Sequence, residues 1–304
     1  MTKRASTPRI SSKRCSRRCA TTVLAWKRRG PERGRAVMIA KLAIGTIVIV
    51  ALAFVAMVAT LYIYQRSLIY PIPPLNRSVP EGFELVRYTT EDGLELQAGY
   101  RAPVEGMPTL LFFHGNATDW QSTFRTTELL AARGYGVLAA EYRGYNGNPG
   151  KPSEQGLYRD GRAAYAWLRE RVTSPADIVL VGNSLGSGVA TELASKVQAR
   201  ALMLIAPFKS MTATAANSYP FAPVNYLLQD RFENIAKIAS VPVPLLVVHG
   251  EQDALIPLAH ARELADTHAA SQMVVLPGYG HNMSGEDAAQ VPQVEFLARL
   301  ARRD

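Results

Sequence analysis

Residues 177–194 constrain the fold more than any other stretch of this chain. Asp177-Ile178-Val179-Leu180-Val181 reads as a buried strand, Gly182-Asn183-Ser184-Leu185-Gly186 as a sharp turn, and residues 187–194 as a helix. Small residues two positions either side of Ser184 let a strained backbone pass close to the adjoining strand. The turn lifts the hydroxyl out of the sheet, with the positive end of a helix beneath it, which is how a nucleophile is mounted. The same pattern also describes a glycine-flanked serine in an ordinary strand-to-helix turn. The rest of the chain has to decide between the two.

Around this unit, strand and helix signals alternate. Residues 83–89 and 94–101 flank the turn Glu91-Asp92-Gly93 and predict a hairpin. Further strands are expected at 109–113, 135–140, 201–205, 244–248 and 273–276, and helices at 126–133, 156–172, 258–267 and 290–302. A hairpin followed by repeated strand–helix units predicts an α/β fold, a mostly parallel sheet flanked by helices, over residues 83–304. Residues 207–240 break the rhythm with prolines and aromatics and are expected to form a small lid. Phe208, Tyr219 and Phe221 are its candidates for lining a substrate pocket, with packing against the core as the alternative.

Charge and hydropathy separate the front of the chain from this domain. Twelve of the 34 Lys and Arg residues lie in residues 1–36 beside the single acid Glu32, leaving 22 basic against 24 acidic side chains afterwards. The domain is therefore near neutral and carries no electrostatic footprint for nucleic acid. Residues 42–64 hold no charge, and as a helix they would reach about 34 Å, enough to cross a hydrocarbon core of about 30 Å. The reading is a transmembrane signal anchor over 38–66 that contacts the bilayer through 42–64. A signal peptide cut near Ala51-Leu52-Ala53 is the rival, but the apolar run continues well past that point. Basic residues before the span predict a single-pass topology with a cytoplasmic N-terminus and the domain on the periplasmic or exoplasmic side. Residues 1–37 read as a disordered basic tail, or as an upstream extension of a gene that starts at Met38. Residues 67–82, with Pro71, Pro73, Pro74 and Pro80, read as a stiff linker. Both cysteines, Cys15 and Cys19, lie in the tail, so the domain has neither a disulfide framework nor a cysteine nucleophile.

A serine hydroxyl needs a base, and the base needs an orienting partner. Of five histidines, His114 and His249 each end an apolar strand before a glycine and suit structural roles, while His260 and His268 fall on a helix and are expected to be solvated. His281 sits in a loop directly beyond the last strand and is the candidate base. Asp253, following the penultimate strand, is the candidate acid, with Glu251 as its rival. All three loops leave the carboxyl ends of parallel strands, where open α/β sheets gather their sites. Backbone donors for an oxyanion are expected from Leu185 N–H and from Asn116 N–H in the loop 114–117. No metal or organic cofactor is called for.

Six ordered motifs carry a resemblance: Phe-Phe-His-Gly-Asn-Ala (112–117), Glu-Tyr-Arg-Gly-Tyr (141–145), Pro-Ser-Glu-x-Gly (152–156), Gly-Asn-Ser-Leu-Gly (182–186), His-Gly-x-x-Asp (249–253) and Gly-His-Asn (280–282). Together they resemble the α/β-hydrolase superfamily, whose triad follows the order Ser184, Asp253, His281. The anchor and the stretch Gln65-Arg66-Ser67-Leu68-Ile69-Tyr70-Pro71 are similar to its membrane-anchored BEM46-like branch. The resemblance implies a serine hydrolase acting on small acyl esters or thioesters, lipid-derived ones included, with a peptidase of the prolyl-oligopeptidase type as the enzymatic alternative. A non-catalytic interaction module on the same fold is the alternative from another class. Residues 145–150 depart from the family pattern, which bears on substrate preference, and the basic tail has no expected counterpart.

Overall fold

The computed structural model describes the backbone of residues 15–301 and the side chains of residues 33–301. It divides into two compact units, Met1–Leu61 and Tyr62–Asp304. Helix α1, Cys15–Ile69, supplies the described part of the first unit and runs into the second. Its portion Arg33–Ile69 is long and apolar enough to cross a bilayer. The disorder expected of residues 1–37 meets a correction here. Residues 1–14 lie outside the described part, but from Cys15 onward the segment is helical. The Ala, Leu, Lys and Arg residues that give it its charge and bulk are also strong helix formers.

The second unit is built on an eight-stranded sheet in the order β1-β2-β4-β3-β5-β6-β7-β8. The strands are β1 Glu84–Thr89, β2 Glu95–Arg101, β3 Thr109–Phe113, β4 Gly136–Ala140, β5 Ile178–Asn183, β6 Ala201–Ile205, β7 Leu245–Gly250 and β8 Ser271–Leu276. The first two form the expected hairpin, β2 pairs antiparallel with β4, and every other pairing is parallel. Strands β3, β4, β6 and β7 are buried at every position, because helices cover both faces. The helices that follow α1 are α2 Thr123–Thr126, α3 Glu128–Ala131, α4 Glu154–Arg169, α5 Leu185–Ala194, α6 Met211–Ser218, α7 Val224–Leu227, α8 Asn234–Ile238, α9 Leu258–Thr267 and α10 Asp287–Leu300. Leu111, Phe113, Leu180 and Leu204 point to the face covered by α4, α5, α8 and α9. Their neighbours Leu110, Phe112, Val179 and Ile205 point to the face covered by α3 and α10. Alternation of this kind is the two-residue period of a strand with apolar side chains on both sides.

Two expected segments take a different form. The linker, expected as a stiff extended segment, packs along the domain. Tyr70 is buried with its ring 6.5 Å from that of Phe232, and Pro71 O accepts the Ala117 N–H at 3.2 Å. Asn76 N–H donates to Asn146 Oδ1 at 2.9 Å, so polar contacts continue the fastening along the strap. The insert 207–240 holds α6, α7 and α8, and part of it belongs to the core. Phe208 is 1% exposed, with its ring 6.2 Å from Phe232 beneath Gly188, so it cannot line a pocket. Its apolar ring gains more by filling the space over the helix glycine than it would beside water. Tyr219 and Phe221 pack edge to face on each other at the outer end, with Phe221 exposed.

His260 and His268 are buried rather than solvated. His260 lies on the inward face of α9, and His268 follows the helix end in extended backbone. His268 Nε2–H donates to Val241 O and its Nδ1 accepts the Ala270 N–H, both at 3.1 Å, which suits a neutral ring. Burial lowers the pKa of both imidazoles. Near the hairpin, Arg143 joins three elements: its guanidinium reaches Asp92 at 2.7 Å and Asp160 at 2.8 Å, and its amide donates to Asp160 at 2.9 Å.

Two outcomes follow from these buried charges. Arg143→Met leaves the Asp160 carboxylate buried without its partner and is expected to destabilise the protein by about 3–5 kcal/mol in urea unfolding. For the histidines, an unfolded imidazole takes up a proton below its ordinary value of 6.5 while the depressed folded one does not. Their contribution is therefore present above pH 6.5 and lost as pH falls below it. His114, whose pKa is raised, acts in the opposite sense between pH 7.5 and 6.5. The fall in Tm between pH 7.5 and 5.5 is expected to be smaller in His268→Gln than in wild type, since glutamine keeps the donor to Val241 O and does not titrate.

Candidate active site

Ser184 stands where β5 hands over to α5, with φ +49° and ψ −115°. A non-glycine residue in such a conformation costs about 1–3 kcal/mol and persists only where its surroundings over-determine it. Here they do. Ser184 N–H donates to Ile205 O at 2.9 Å, continuing the ladder to β6, and Ser184 O accepts the Ser187 amide at 2.9 Å and hydroxyl at 2.6 Å. The glycines of the turn are required by space. A Cβ on Gly182 would lie 2.5 Å from Gly186 O, and one on Gly186 would lie 2.0 Å from Phe113 O. Helix α5 thus packs against the end of β3 with nothing between them.

The loops after β7 and β8 are tied together before they deliver their side chains. Gln252 N–H donates to Tyr279 O at 2.8 Å, and a Cβ on Gly250 would lie 2.5 Å from the carbonyl oxygens of Tyr279 and Gly280. Asp253 Oδ1 accepts the amides of Leu255 at 2.9 Å and Ile256 at 2.8 Å, leaving Oδ2 to His281 Nδ1 at 2.7 Å. Burial pushes this carboxyl up. Hydrogen bonds from His281 and Ile256, with the nearby imidazoles, outweigh it and hold the group below its ordinary value. A carboxylate only accepts, so Nδ1 of His281 carries the hydrogen and Nε2 faces Ser184 Oγ, 2.9 Å away, as an acceptor. The three side chains chosen from strand ends therefore form one hydrogen-bonded chain. Glu251, the alternative acid, is exposed. His249 Nε2 donates to Ile256 O at 2.9 Å and lies 3.4 Å from Asp253 Oδ2, so it braces the aspartate turn while burial lowers its own pKa.

The loop 114–117 passes beside the serine. A Cβ on Gly115 would lie 3.4 Å from Ser184 Cβ, which is ordinary contact. Leu185 opens α5, so its N–H has no acceptor within the helix. The amides of Asn116 and Leu185 thus belong to the two segments that meet at the hydroxyl. Sequence reasoning missed the groups beneath them. Glu141 and Tyr142 were legible only as part of a motif, yet Glu141 bonds His114 at 2.6 Å and Tyr142 O–H donates to His114 O at 2.8 Å. Of the departing loop 145–150, Tyr145 packs its ring against that of His114, with 5.7 Å between centroids. Asn146 and Gly147 line a cleft of about 370 Å³ together with Leu75, Asn76, Trp120 and Gln121 of the strap and its neighbours. Among the described residues no group of three or more His, Cys, Asp or Glu is placed to hold a metal ion.

Comparison with known proteins agrees with this architecture. A sequence model described as the Alpha/beta hydrolase family matches residues 110–231, and one described as TAP-like protein matches residues 221–302. An uncharacterized protein of Mycobacterium tuberculosis is 38% identical over 249 residues, covering 79% of this chain and 88% of that protein. Alpha/beta hydrolase domain-containing protein 17C of Xenopus laevis is 33% identical over 206 residues, covering 66% of this chain and 65% of that protein. Among solved structures, an esterase of Pyrococcus furiosus superposes with a TM-score of 0.62 at 19% identity, covering 76% of this chain and 98% of the esterase. At that identity the superposition speaks for the fold.

The close approach of α5 to β3 yields a direct expectation. Gly186→Ala must push the helix off the strand end, and is expected to cost about 1–3 kcal/mol in urea unfolding. The shift also moves Ser184, so reaction with a fluorophosphonate should slow by more than the lost stability accounts for.

Proposed function

Because the chain belongs to the α/β-hydrolase family, we propose that it is a membrane-anchored serine hydrolase that cleaves carboxylic esters or thioesters. The observation that carries this reading is the hydrogen-bonded chain from Ser184 Oγ to His281 at 2.9 Å and from His281 to Asp253 at 2.7 Å. Ser184 attacks the acyl carbonyl while His281 Nε2 takes the hydroxyl proton. Asp253 holds the imidazole in the required tautomer and offsets the positive charge that forms on it. The amides of Asn116 and Leu185 receive the oxyanion of the tetrahedral intermediate. Its collapse breaks the bond to the alcohol or thiol, which leaves with the proton from His281. Water, deprotonated by the same base, then attacks the acyl-enzyme and frees the acid and the serine.

The proposed anchor, residues 38–66, lies within the helical stretch Arg33–Ile69, and the basic residues ahead of it support a cytoplasmic N-terminus with the hydrolase domain on the far side. Its last residues also hold the insert. Gln65 accepts the Gln229 amide at 2.8 Å and Arg66 pairs with Asp230 at 3.0 Å, so the insert is fastened to the residues that directly follow the apolar run. This proximity supports substrates that partition into the bilayer, such as lipid-derived esters, and agrees with the membrane-anchored branch of the family. Tyr219 and Phe221, at the outer end of the insert, are its candidates for contacting an acyl chain.

A fluorophosphonate probe is expected to label the full-length protein in detergent, and Ser184→Ala to abolish labelling. Labelling that persists in the variant would remove Ser184 from its role. Asp253→Asn should lower kcat for a p-nitrophenyl acyl ester by about 10³–10⁴-fold. Faster turnover of aminoacyl amides than of esters would turn the assignment to a peptidase.

A further inference from the structure

Ser184 is flanked by a second histidine–carboxylate pair that the proton relay does not use. We infer that His114 is a positioning residue: by holding the Gly115 carbonyl it aims the Asn116 N–H at the oxyanion. This rests on the reading of Ser184 as the nucleophile.

His114 and Glu141 are each 1% exposed. Nδ1 of His114 lies 2.6 Å from Gly115 O, and a carbonyl oxygen only accepts, so Nδ1 carries a hydrogen. Thr118 Oγ1, 3.2 Å from the same nitrogen, is placed to share it. Nε2 lies 2.6 Å from Glu141 Oε1. Glu141 is itself held by two amides, Tyr142 N–H at 2.9 Å on Oε1 and Trp120 N–H at 3.1 Å on Oε2. The imidazole is packed against the rings of Tyr142 and Tyr145, at 4.5 and 5.7 Å between centroids. Held at both nitrogens and along its face, the ring has one orientation. Burial pushes its pKa down, but the charge and hydrogen bond of Glu141 more than offset this and hold it above the ordinary value.

The consequence passes through one peptide unit. In a trans peptide the C=O and the following N–H point in opposite directions. Drawing Gly115 O toward the imidazole therefore turns Asn116 N–H to the other side. Gly115 carries no side chain to stand between this loop and Ser184, whose Cβ would be only 3.4 Å from a Cβ at position 115. The next amide is committed elsewhere, since Ala117 N–H donates to Pro71 O at 3.2 Å. Among the described residues Asn116 N–H meets no protein acceptor. The donor is held in its direction before substrate arrives, which is what an oxyanion site requires.

The two nitrogens of His114 have separable duties, and two amide side chains separate them. Asparagine carries its NH2 near the place of Nδ1 and keeps the bond to Gly115 O. Glutamine carries its NH2 near the place of Nε2 and keeps the bond to Glu141. If the residue served only to neutralise and fill, His114→Gln would be the better variant in every respect. The inference requires opposite orders, with Gln the more stable and Asn the more active.

In full-length protein in detergent, His114→Gln is expected to lose about 10²-fold in kcat on a p-nitrophenyl acyl ester, with KM changed less than about threefold. Its inhibition by an acyl trifluoromethyl ketone, whose serine adduct bears an oxyanion, should weaken by a similar factor. His114→Asn should stay within about tenfold of wild type on both measures, although it unfolds at lower temperature. Activity that follows stability, with Gln equal to or better than Asn, overturns the inference. Wild type that fails to react with a fluorophosphonate overturns the nucleophile reading and this inference with it. Wild type that reacts, beside a Gln variant that binds the ketone as tightly, removes the His114 role alone. A nitrogen-15 histidine spectrum of the unaltered protein tests the same point without relying on a variant that folds. A hydrogen on Nδ1 is expected for His114, and a bare Nδ1 refutes the inference.

Discussion

A methyl group at position 186 would lie 2.0 Å from the Phe113 carbonyl oxygen, so the first turn of α5 can seat against β3 only with glycine there. The geometry around Ser184 depends on that contact. With the helix this close, the connection from β5 has too little length for a relaxed turn, and Ser184 is driven to φ +49°. The strain is held by the ladder bond to Ile205 and by the two bonds from Ser187. The same approach sets the loop after β3 against the serine. A hydroxyl, the opening of a helix and a second segment of backbone amides therefore meet at one point on the rim of the sheet.

Two histidine–carboxylate pairs flank that point, and burial separates their duties. In His281–Asp253 the carboxylate is sealed while the imidazole remains 17% exposed, with its second nitrogen facing a hydroxyl that can give up a proton. In His114–Glu141 both partners are sealed, and the second nitrogen faces a carbonyl that can only accept. One pair is suited to moving a proton and the other to holding a peptide plane. Each carboxylate also accepts two backbone amides, Leu255 and Ile256 at Asp253, Trp120 and Tyr142 at Glu141. The anchoring of both carboxylates therefore comes from loop conformation, with no further charged side chain needed to hold them.

Much of the sheet could be read directly because β3, β4, β6 and β7 are apolar at nearly every position, a pattern that only double coverage explains. Boundaries were less legible. The helix expected over 156–172 begins at Glu154, because Ser153 Oγ accepts the Gly156 amide at 3.1 Å and starts it earlier. The helix expected over 126–133 is two short helices joined at Thr127, whose φ of −122° leaves the helical region. Composition could not separate Phe208 from Phe221, although one is in the core and the other is half in solvent. Nor could it foresee that His260 lies on the inward face of α9 and that His268 is buried just past its end. Those outcomes depend on what stands opposite, which hydropathy along the chain does not record.

The sequence by itself determined the alternation that makes the sheet, the uncharged run long enough for a bilayer, and the positions at strand ends from which Ser184, Asp253 and His281 could be chosen. These are local properties, carried by period, length and turn chemistry. Only the tertiary structure decided that residues 97 and 28 positions apart come within hydrogen-bond distance of one another. It also decided that the proline-rich strap folds back onto the domain and that His114 and Glu141, 27 residues apart, close over one peptide plane. Hydrogen bonds and close packing act over a few ångströms in space, and distance along the chain says little about which groups will meet.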